Sequence, residues 1–169
     1  MTYHIAGIDP GKSGGFAIFD RRVRRLITAG PLLFDDPGDL HKELAYYDVR
    51  EILLERAQSA PGQGNGFEYG RGFGRTEAAC LMTPAKLYYV APVWWKSRLS
   101  VPVDKGEAIA KALSLIPGLE KHVTLKKHDG IAEAALIGSI LLNRKLTDEV
   151  YANNEKRLKP KKKRVSFRL

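Results

Sequence analysis

Four short β-prone runs separated by one helical stretch dominate the first 55 residues and constrain the fold more than any other feature. The runs cover residues 3–8, 16–19, 23–28 and 51–55, and the helical stretch begins at residues 37–39. Short connections between the first three runs predict an antiparallel meander, and an intervening helix permits the fourth strand to lie parallel to the first. The pattern therefore predicts a mixed sheet.

The remaining sequence adds one strand, several helices and a long glycine-rich segment. Residues 87–90 form a fifth β-prone run, and residues 59–74 contain so many glycines that a long loop is expected there. Apolar periodicity and turn residues predict helices at 75–82, 92–99, 105–116 and 129–146. The predicted fold class is α/β, with a mixed five-stranded sheet flanked by helices.

Two acidic residues stand where predicted strands end. Asp9 follows the first strand and Glu55 closes the fourth. If those strands are parallel neighbours, both carboxylates emerge at the same carboxyl edge of the sheet. Each residue alone has an ordinary explanation, since Asp9 precedes Pro-Gly as turn residues do and Glu55 can pair with Arg56.

Two more acidic residues begin the last predicted helix. Asp129 and Glu133 are four residues apart and therefore lie on one helical face, where like charges repel. Both could instead favour the helix start through its dipole. A divalent cation would offset the repulsion, because Mg²⁺ prefers carboxylate and water oxygens. Four carboxylates could hold two ions about 4 Å apart, an arrangement that hydrolyses phosphodiesters. The acidic set thus predicts nuclease chemistry.

Two other phosphate-binding patterns fit less well. The run Gly7 to Ser13 has three residues between its glycines where a Walker A loop needs four, and Asp9 inside it would repel phosphate. Actin-like and sugar-kinase ATPases also begin with a strand and a similar hairpin, but they need two lobes and roughly twice this length.

The net charge of +9 is concentrated at the C-terminus. Residues 155–169 contain eight Lys or Arg and one Glu, so the rest of the chain is nearly balanced. We expect a domain at 1–150 and a basic, flexible tail at 151–169. Such a tail attracts nucleic acid, and an acidic membrane surface would attract it as well.

Several classes of protein are excluded by composition. No run of about 18 apolar residues exists, so we expect no membrane span. The N-terminus lacks the features of a signal peptide, which argues against export. Cys80 is the single cysteine, which excludes an internal disulfide and a thiolate zinc site.

Four segments carry a family resemblance. They are GIDPGKSGGFAIFD, ILLERAQSAPGQG, VAPVWWKSRL and KKHDGIAEAALIGSILL, in this order. The chain resembles the RuvC-type Holliday junction resolvases, most closely their compact phage-encoded branch. The resemblance implies an RNase H-like fold, a homodimer, two Mg²⁺ or Mn²⁺ ions per active site, and paired symmetric nicks in four-way DNA junctions. The resemblance also implies a role in DNA recombination, repair or phage DNA processing, in the cytoplasm of a bacterial or phage-infected cell.

The family's catalytic and metal-binding positions match four residues of this chain. They are Asp9, Glu55, Asp129 and Glu133. Many members have Asp where this chain has Glu133, and His128 is an alternative to Asp129 as the third ligand. Two other functions remain open from the residues: another RNase H-like nuclease acting on flaps or RNA/DNA hybrids, and a non-catalytic DNA-binding scaffold.

Basic and aromatic residues near the acidic set are candidates for DNA contacts. The aromatic candidates could equally pack their own segment against the rest of the domain. Trp94 and Trp95 are better explained as packing residues. The candidate DNA-binding residues are Phe67, Tyr69, Arg71, Phe73, Arg75, Lys96, Lys126, Lys127, Lys161, Lys162 and Lys163.

Overall fold

A computed structural model describes residues 3–32, 37–56 and 66–158 of the 169-residue chain. None of the helices in these ranges combines the length and apolar character needed to cross a membrane.

The described residues contain one five-stranded sheet. Its strands are β1 (His4–Asp9), β2 (Gly15–Asp20), β3 (Arg25–Pro31), β4 (Val49–Glu55) and β5 (Lys86–Val90). The order across the sheet is β3-β2-β1-β4-β5, with the first three strands antiparallel and with β4 and β5 parallel to β1. The predicted mixed sheet is confirmed.

Six α-helices lie within the described ranges and cover both faces of the sheet. They are α1 (Pro37–Tyr46), α2 (Gly66–Leu81), α3 (Pro92–Arg98), α4 (Lys105–Leu115), α5 (Asp129–Ile140) and α6 (Arg144–Leu158). Short 3₁₀ turns occur at Leu119–Lys121 and Lys126–His128. Buried residues of α1 and α2 pack on one face, and those of α3 to α6 pack on the other.

Glycines bring α5 into direct backbone contact with the sheet. A Cβ on Gly7 of β1 would lie 2.1 Å from the backbone nitrogen of Gly138, and one on Gly130 would lie 2.0 Å from the carbonyl oxygen of Ser13. Side chains at these positions would force the two backbones apart. The absence of side chains at these positions lets α5 lie directly against β1 and the turn that follows it.

The predicted loop at residues 59–74 is wrong from residue 66 onward, where α2 begins. Residues 57–65 lie outside the described residues. Each glycine costs about 1 kcal/mol in a helix, which is why the sequence favoured a loop. Tertiary packing overrides that cost, because α2 buries Thr76, Ala79 and Cys80, and the last two join the core beneath α1.

The single helix predicted at 129–146 is two helices, with a break between Ile140 and Arg144. The side chain of Asn143 accepts a hydrogen bond from Leu146 N–H at 3.2 Å, as a helix N-cap does. Thr147 Oγ1 donates to the carbonyl of Ile140 at 3.0 Å, which ties the start of α6 to the end of α5.

Helix α6 runs along the edge strand β5 and crosses the domain boundary expected at residue 150. Asn154 accepts a hydrogen bond from Tyr89 N–H at 2.9 Å and donates one to the Tyr89 carbonyl at 3.0 Å. Tyr151 donates to Glu51 of the neighbouring strand β4. Residues 151–158 are therefore part of the folded body, and a separate tail remains a prediction only for residues 159–169, outside the described residues.

Candidate metal centre

Three carboxylates converge at the carboxyl edge of the sheet. Asp9, Glu55 and Glu133 each offer one ligand oxygen, and these oxygens all lie within 4.8 Å of one another. The sequence predicted this meeting of Asp9 and Glu55 from the parallel strands, and the register of Ile8 with Leu54 produces it. Side chains alternate along a strand, so Asp9 shares the face of Gly7, which α5 covers, and Glu133 reaches it from α5.

Asp9 is held in a fixed orientation at the end of β1. Its side chain accepts a hydrogen bond from Gly11 N–H at 3.0 Å, and the residue is 9% exposed. Burial raises the pKa of Asp9 to about 6, although the Gly11 hydrogen bond opposes the shift, and the Glu133 carboxylate adds to it. The site therefore disfavours a bare negative charge on Asp9.

Glu55 is bound by an aromatic donor that the sequence did not identify. Trp95, which is fully buried on α3, donates its indole N–H to Glu55 Oε2 at 2.5 Å. Burial, followed by the nearby Asp9 carboxylate, raises the pKa of Glu55 to about 7, and the Trp95 hydrogen bond opposes that shift. The prediction that Trp95 is a packing residue is correct for its ring and incomplete for its N–H.

Glu133 is paired with a lysine from α3. Lys96 Nζ lies 2.8 Å from Glu133 Oε1, and the two side chains are 38% and 24% exposed. Lys96 also lies over the Trp95 ring, 5.2 Å from its centroid. Lys96 was predicted as a DNA contact, and the structure places it within the acidic site.

Asp129 does not join the three-carboxylate cluster among the described residues. Its side chain instead pairs with Lys105, the first residue of α4. His128 also stands apart from the cluster, where its Nδ1 accepts a hydrogen bond from Thr124 N–H at 3.3 Å. The i,i+4 spacing correctly put Asp129 near Glu133, but it could not reveal the lysine on another helix.

The residues present fit a divalent metal ion. Three carboxylates around one point supply hard oxygen ligands, and Lys96 offsets only one of their charges. Burial raises the pKa of Asp9 and of Glu55 more than the charge of Lys96 lowers it. A divalent cation would supply positive charge there, and the three carboxylates fit such an ion.

The aromatic DNA-binding candidates occupy different environments on α2. Phe67 is 78% exposed, whereas Phe73 packs against the core. Tyr69 is half-buried, and its burial, followed by the negative charges of Glu55 and Asp9, raises its pKa. Of the three aromatic candidates, Phe67 is the most exposed, and all three remain predictions as DNA contacts.

The described basic candidates other than Lys96 lie on α2 and on the turn before α5. Arg71 forms an ion pair with Glu68 at 2.6 Å, and Arg75 lies on α2. Lys126 and Lys127 belong to the 3₁₀ turn that precedes α5 and are exposed. Lys161, Lys162 and Lys163 lie outside the described residues.

Comparison with known proteins shows similarity in structure without similarity in sequence. No family model matches the chain, and no curated protein sequence matches it. A Thermus thermophilus RuvC structure is similar to this chain, with a TM-score of 0.58 and 18% sequence identity. T. thermophilus RuvC in complex with a Holliday junction substrate has a TM-score of 0.56 and 16% sequence identity. Each of these two comparisons covers 89% of this chain and 95% of the other chain. The yeast mitochondrial Holliday junction resolvase Ydc2 has a TM-score of 0.56 at 16% identity, covering 93% of this chain and 85% of the other. The chain therefore has the RNase H-like fold of these proteins, as predicted.

Proposed function

We propose that the chain is a metal-dependent endonuclease that cuts four-way DNA junctions. The observation that carries this proposal is the cluster of Asp9, Glu55 and Glu133, placed at one edge of an RNase H-like sheet. The T. thermophilus RuvC structure with a Holliday junction substrate supports the choice of DNA substrate, because that protein shares the fold.

Each residue of the cluster has a role in phosphodiester hydrolysis. Asp9, Glu55 and Glu133 would hold Mg²⁺ or Mn²⁺, and the bound ion would supply activation of water and stabilisation of the leaving oxygen. The hydrogen bond from Gly11 N–H restrains the Asp9 carboxylate, so this ligand is oriented before the substrate arrives. The expected products are a 5′-phosphate and a 3′-hydroxyl.

Asp129 completes the site for a second ion in this proposal. It lies one helical turn before Glu133, and in the structure its charge is neutralised by Lys105. Lys105 is largely exposed, so it can exchange Asp129 for a DNA phosphate when the substrate binds. Asp129 is then free to act as a ligand.

Paired symmetric cuts require two active sites. A homodimer with two-fold symmetry places its two sites on equivalent strands of a two-fold symmetric junction. We propose this assembly together with the activity.

The proposal is tested by incubating the protein with a synthetic four-way junction and with a linear duplex, a flap and an RNA/DNA hybrid of matched sequence. We expect symmetric paired nicks in the junction with MgCl₂ and none with EDTA. If the duplex, the flap or the hybrid is cut as well as the junction, the chain is another kind of nuclease with this fold and not a resolvase. Tight binding without cutting under every condition would indicate a DNA-binding scaffold.

A further inference from the structure

The indole N–H of Trp95 makes a contact that packing alone does not explain. Trp95 is 0% exposed and Glu55 is 7% exposed, yet the buried donor points at Glu55 Oε2 and lies 2.5 Å from it. An indole N–H only donates, so a buried tryptophan needs an acceptor. This chain supplies a carboxylate of the metal cluster as that acceptor.

The ring cannot turn away from Glu55, because its surroundings fix it. Trp95 belongs to the core cluster that also contains Leu53 and Val90. Its backbone N–H bonds the Ala91 carbonyl at 3.2 Å, and Arg56 N–H bonds the Val90 carbonyl at 2.8 Å, joining the end of β4 to the end of β5. The donor and the carboxylate are therefore anchored on elements that are held together next to the contact.

A neutral donor suits a metal ligand better than a cation does. The hydrogen bond engages Oε2 and leaves Glu55 Oε1 for a metal ion. It stabilises the carboxylate without introducing a positive charge that competes with the metal. Glu133, whose partner is the Lys96 ammonium at 2.8 Å, shows the opposite arrangement in the same cluster.

We propose that Trp95 is a positioning residue for Glu55, which it restrains so that the carboxylate presents one oxygen to a divalent ion. The inference rests on the metal centre of the proposed function. It assigns to the tryptophan a role in metal affinity, beyond its part in the core.

The chain contains two tryptophans, and they form a matched pair for the test. Trp94 is adjacent in sequence, and its ring lies under the guanidinium of Arg98, 5.5 Å from the centroid. Trp94→Phe therefore makes the same chemical change outside the metal cluster. It also leaves Trp95 as the only tryptophan, whose fluorescence can be observed alone.

The first measurement follows Trp95 emission while MgCl₂ is added to the Trp94→Phe variant without DNA. We expect a saturable change in emission whose midpoint equals that of the metal-induced rise in thermal stability. The Trp95→Phe variant, which retains Trp94, should show no saturable change. Unchanged Trp95 emission across a titration that raises thermal stability would overturn the inference.

The second measurement compares Mg²⁺ affinity, obtained from thermal stability as a function of MgCl₂ concentration. Loss of a hydrogen bond to a metal ligand commonly weakens metal binding by about 10-fold to 100-fold. We expect a loss of this size in Trp95→Phe and none in Trp94→Phe. Wild-type affinity in folded Trp95→Phe would contradict the positioning role.

A third variant covers the case in which Trp95→Phe does not fold. Benzothienylalanine at position 95, introduced by in vitro translation, keeps the fused ring and replaces the N–H with sulfur. It should retain the fold and show the same loss of Mg²⁺ affinity. A benzothienylalanine protein that binds Mg²⁺ as tightly as wild type would reject the inference.

The proposed function and this inference fail separately. If the protein binds Mg²⁺ with an affinity that depends on Trp95 but does not cut junctions, the proposed function is rejected and the role of Trp95 is retained. A protein that cuts junctions, with Mg²⁺ affinity independent of Trp95, gives the reverse result.

Discussion

The acidic residues at the carboxyl edge are individually unfavourable as charged groups in the folded chain. Asp9 and Glu55 are buried, and burial raises the pKa of the first to about 6 and of the second to about 7. Retaining such residues lowers stability unless something compensates for their charge. A metal ion is the compensation that the donor set indicates.

Asp9→Asn is expected to abolish cleavage and to retain junction binding, because it removes one ligand charge without emptying a core position. The same change should raise the thermal stability of the metal-free protein at pH 8, where the wild-type carboxylate is charged and buried. A junction-cleavage assay, a gel-shift assay and thermal melting in EDTA measure the three effects. Retained cleavage would reject Asp9 as a metal ligand.

The pKa values also predict how stability without metal depends on pH. In the unfolded chain both carboxyl groups titrate near about pH 4, so between pH 4 and 7 the folded state binds more protons than the unfolded state. The free energy of unfolding in EDTA should therefore fall as pH rises through this window, by roughly 5 kcal/mol for the two groups together, since one pKa unit corresponds to about 1.4 kcal/mol. Urea unfolding at pH 5 and pH 7.5 tests this, and Glu55→Gln should show a smaller fall.

Site residues could be predicted from the sequence where the backbone geometry of neighbouring strands determines their position. Asp9 and Glu55 meet because parallel neighbouring strands end at one edge, which spacing and strand order reveal. Prediction from the sequence failed where the partner comes from a distant helix. Nothing near Asp129 in sequence indicates Lys105, and nothing near Glu55 indicates Trp95.

At the scale of elements, α5 determines where Glu133 lies. Its backbone touches β1 through Gly7 and Gly138, so the helix cannot shift without separating two packed backbones. The distance between Glu133 and Asp9 is thus fixed by a glycine contact rather than by the acidic residues themselves. The sequence showed the apolar periodicity of this helix, but glycines within it carry no sign of such a contact.

Gly7→Ala is expected to destabilise the protein by about 3 kcal/mol and to weaken metal binding, because its Cβ would lie 2.1 Å from the Gly138 nitrogen. The matched control is Gly70→Ala on α2, where no heavy atom lies within 4 Å of an added Cβ. That control should stabilise the protein by about 1 kcal/mol, because residue 70 lies within α2. Urea unfolding measures both changes, and a destabilising Gly70→Ala would contradict helix α2 at this position.

At the scale of the whole molecule, the positive charge and the acidic site are separate features. The body of the chain is nearly balanced, and the excess lies in the last fifteen residues. Composition placed the start of the tail at residue 151, but α6 continues to Leu158. Tyr151 and Asn154 contact the sheet there, which is tertiary information that a run of charges cannot convey.

Two truncations are expected to differ for this reason. Ending the chain at residue 158 removes six Lys or Arg, so the affinity for the junction should fall. The slope of log affinity against log salt concentration should become shallower by at most about 5. The stability of the folded protein should stay unchanged. Ending it at residue 150 also removes the contacts of Tyr151 and Asn154, and stability should fall as well. Fluorescence anisotropy across a KCl series and thermal melting measure these effects. Undiminished affinity in the first truncation would show that the tail does not bind DNA.

The contact between Asn154 and Tyr89 also bears on how two copies of the chain can assemble. The side-chain amide of Asn154 imitates the backbone of a neighbouring strand, since it satisfies both the N–H and the carbonyl of Tyr89. The outer edge of β5 is therefore already closed at this residue, and a second sheet cannot extend it there. A dimer that faces one junction with two active sites must then be joined through surfaces other than a β5-to-β5 sheet.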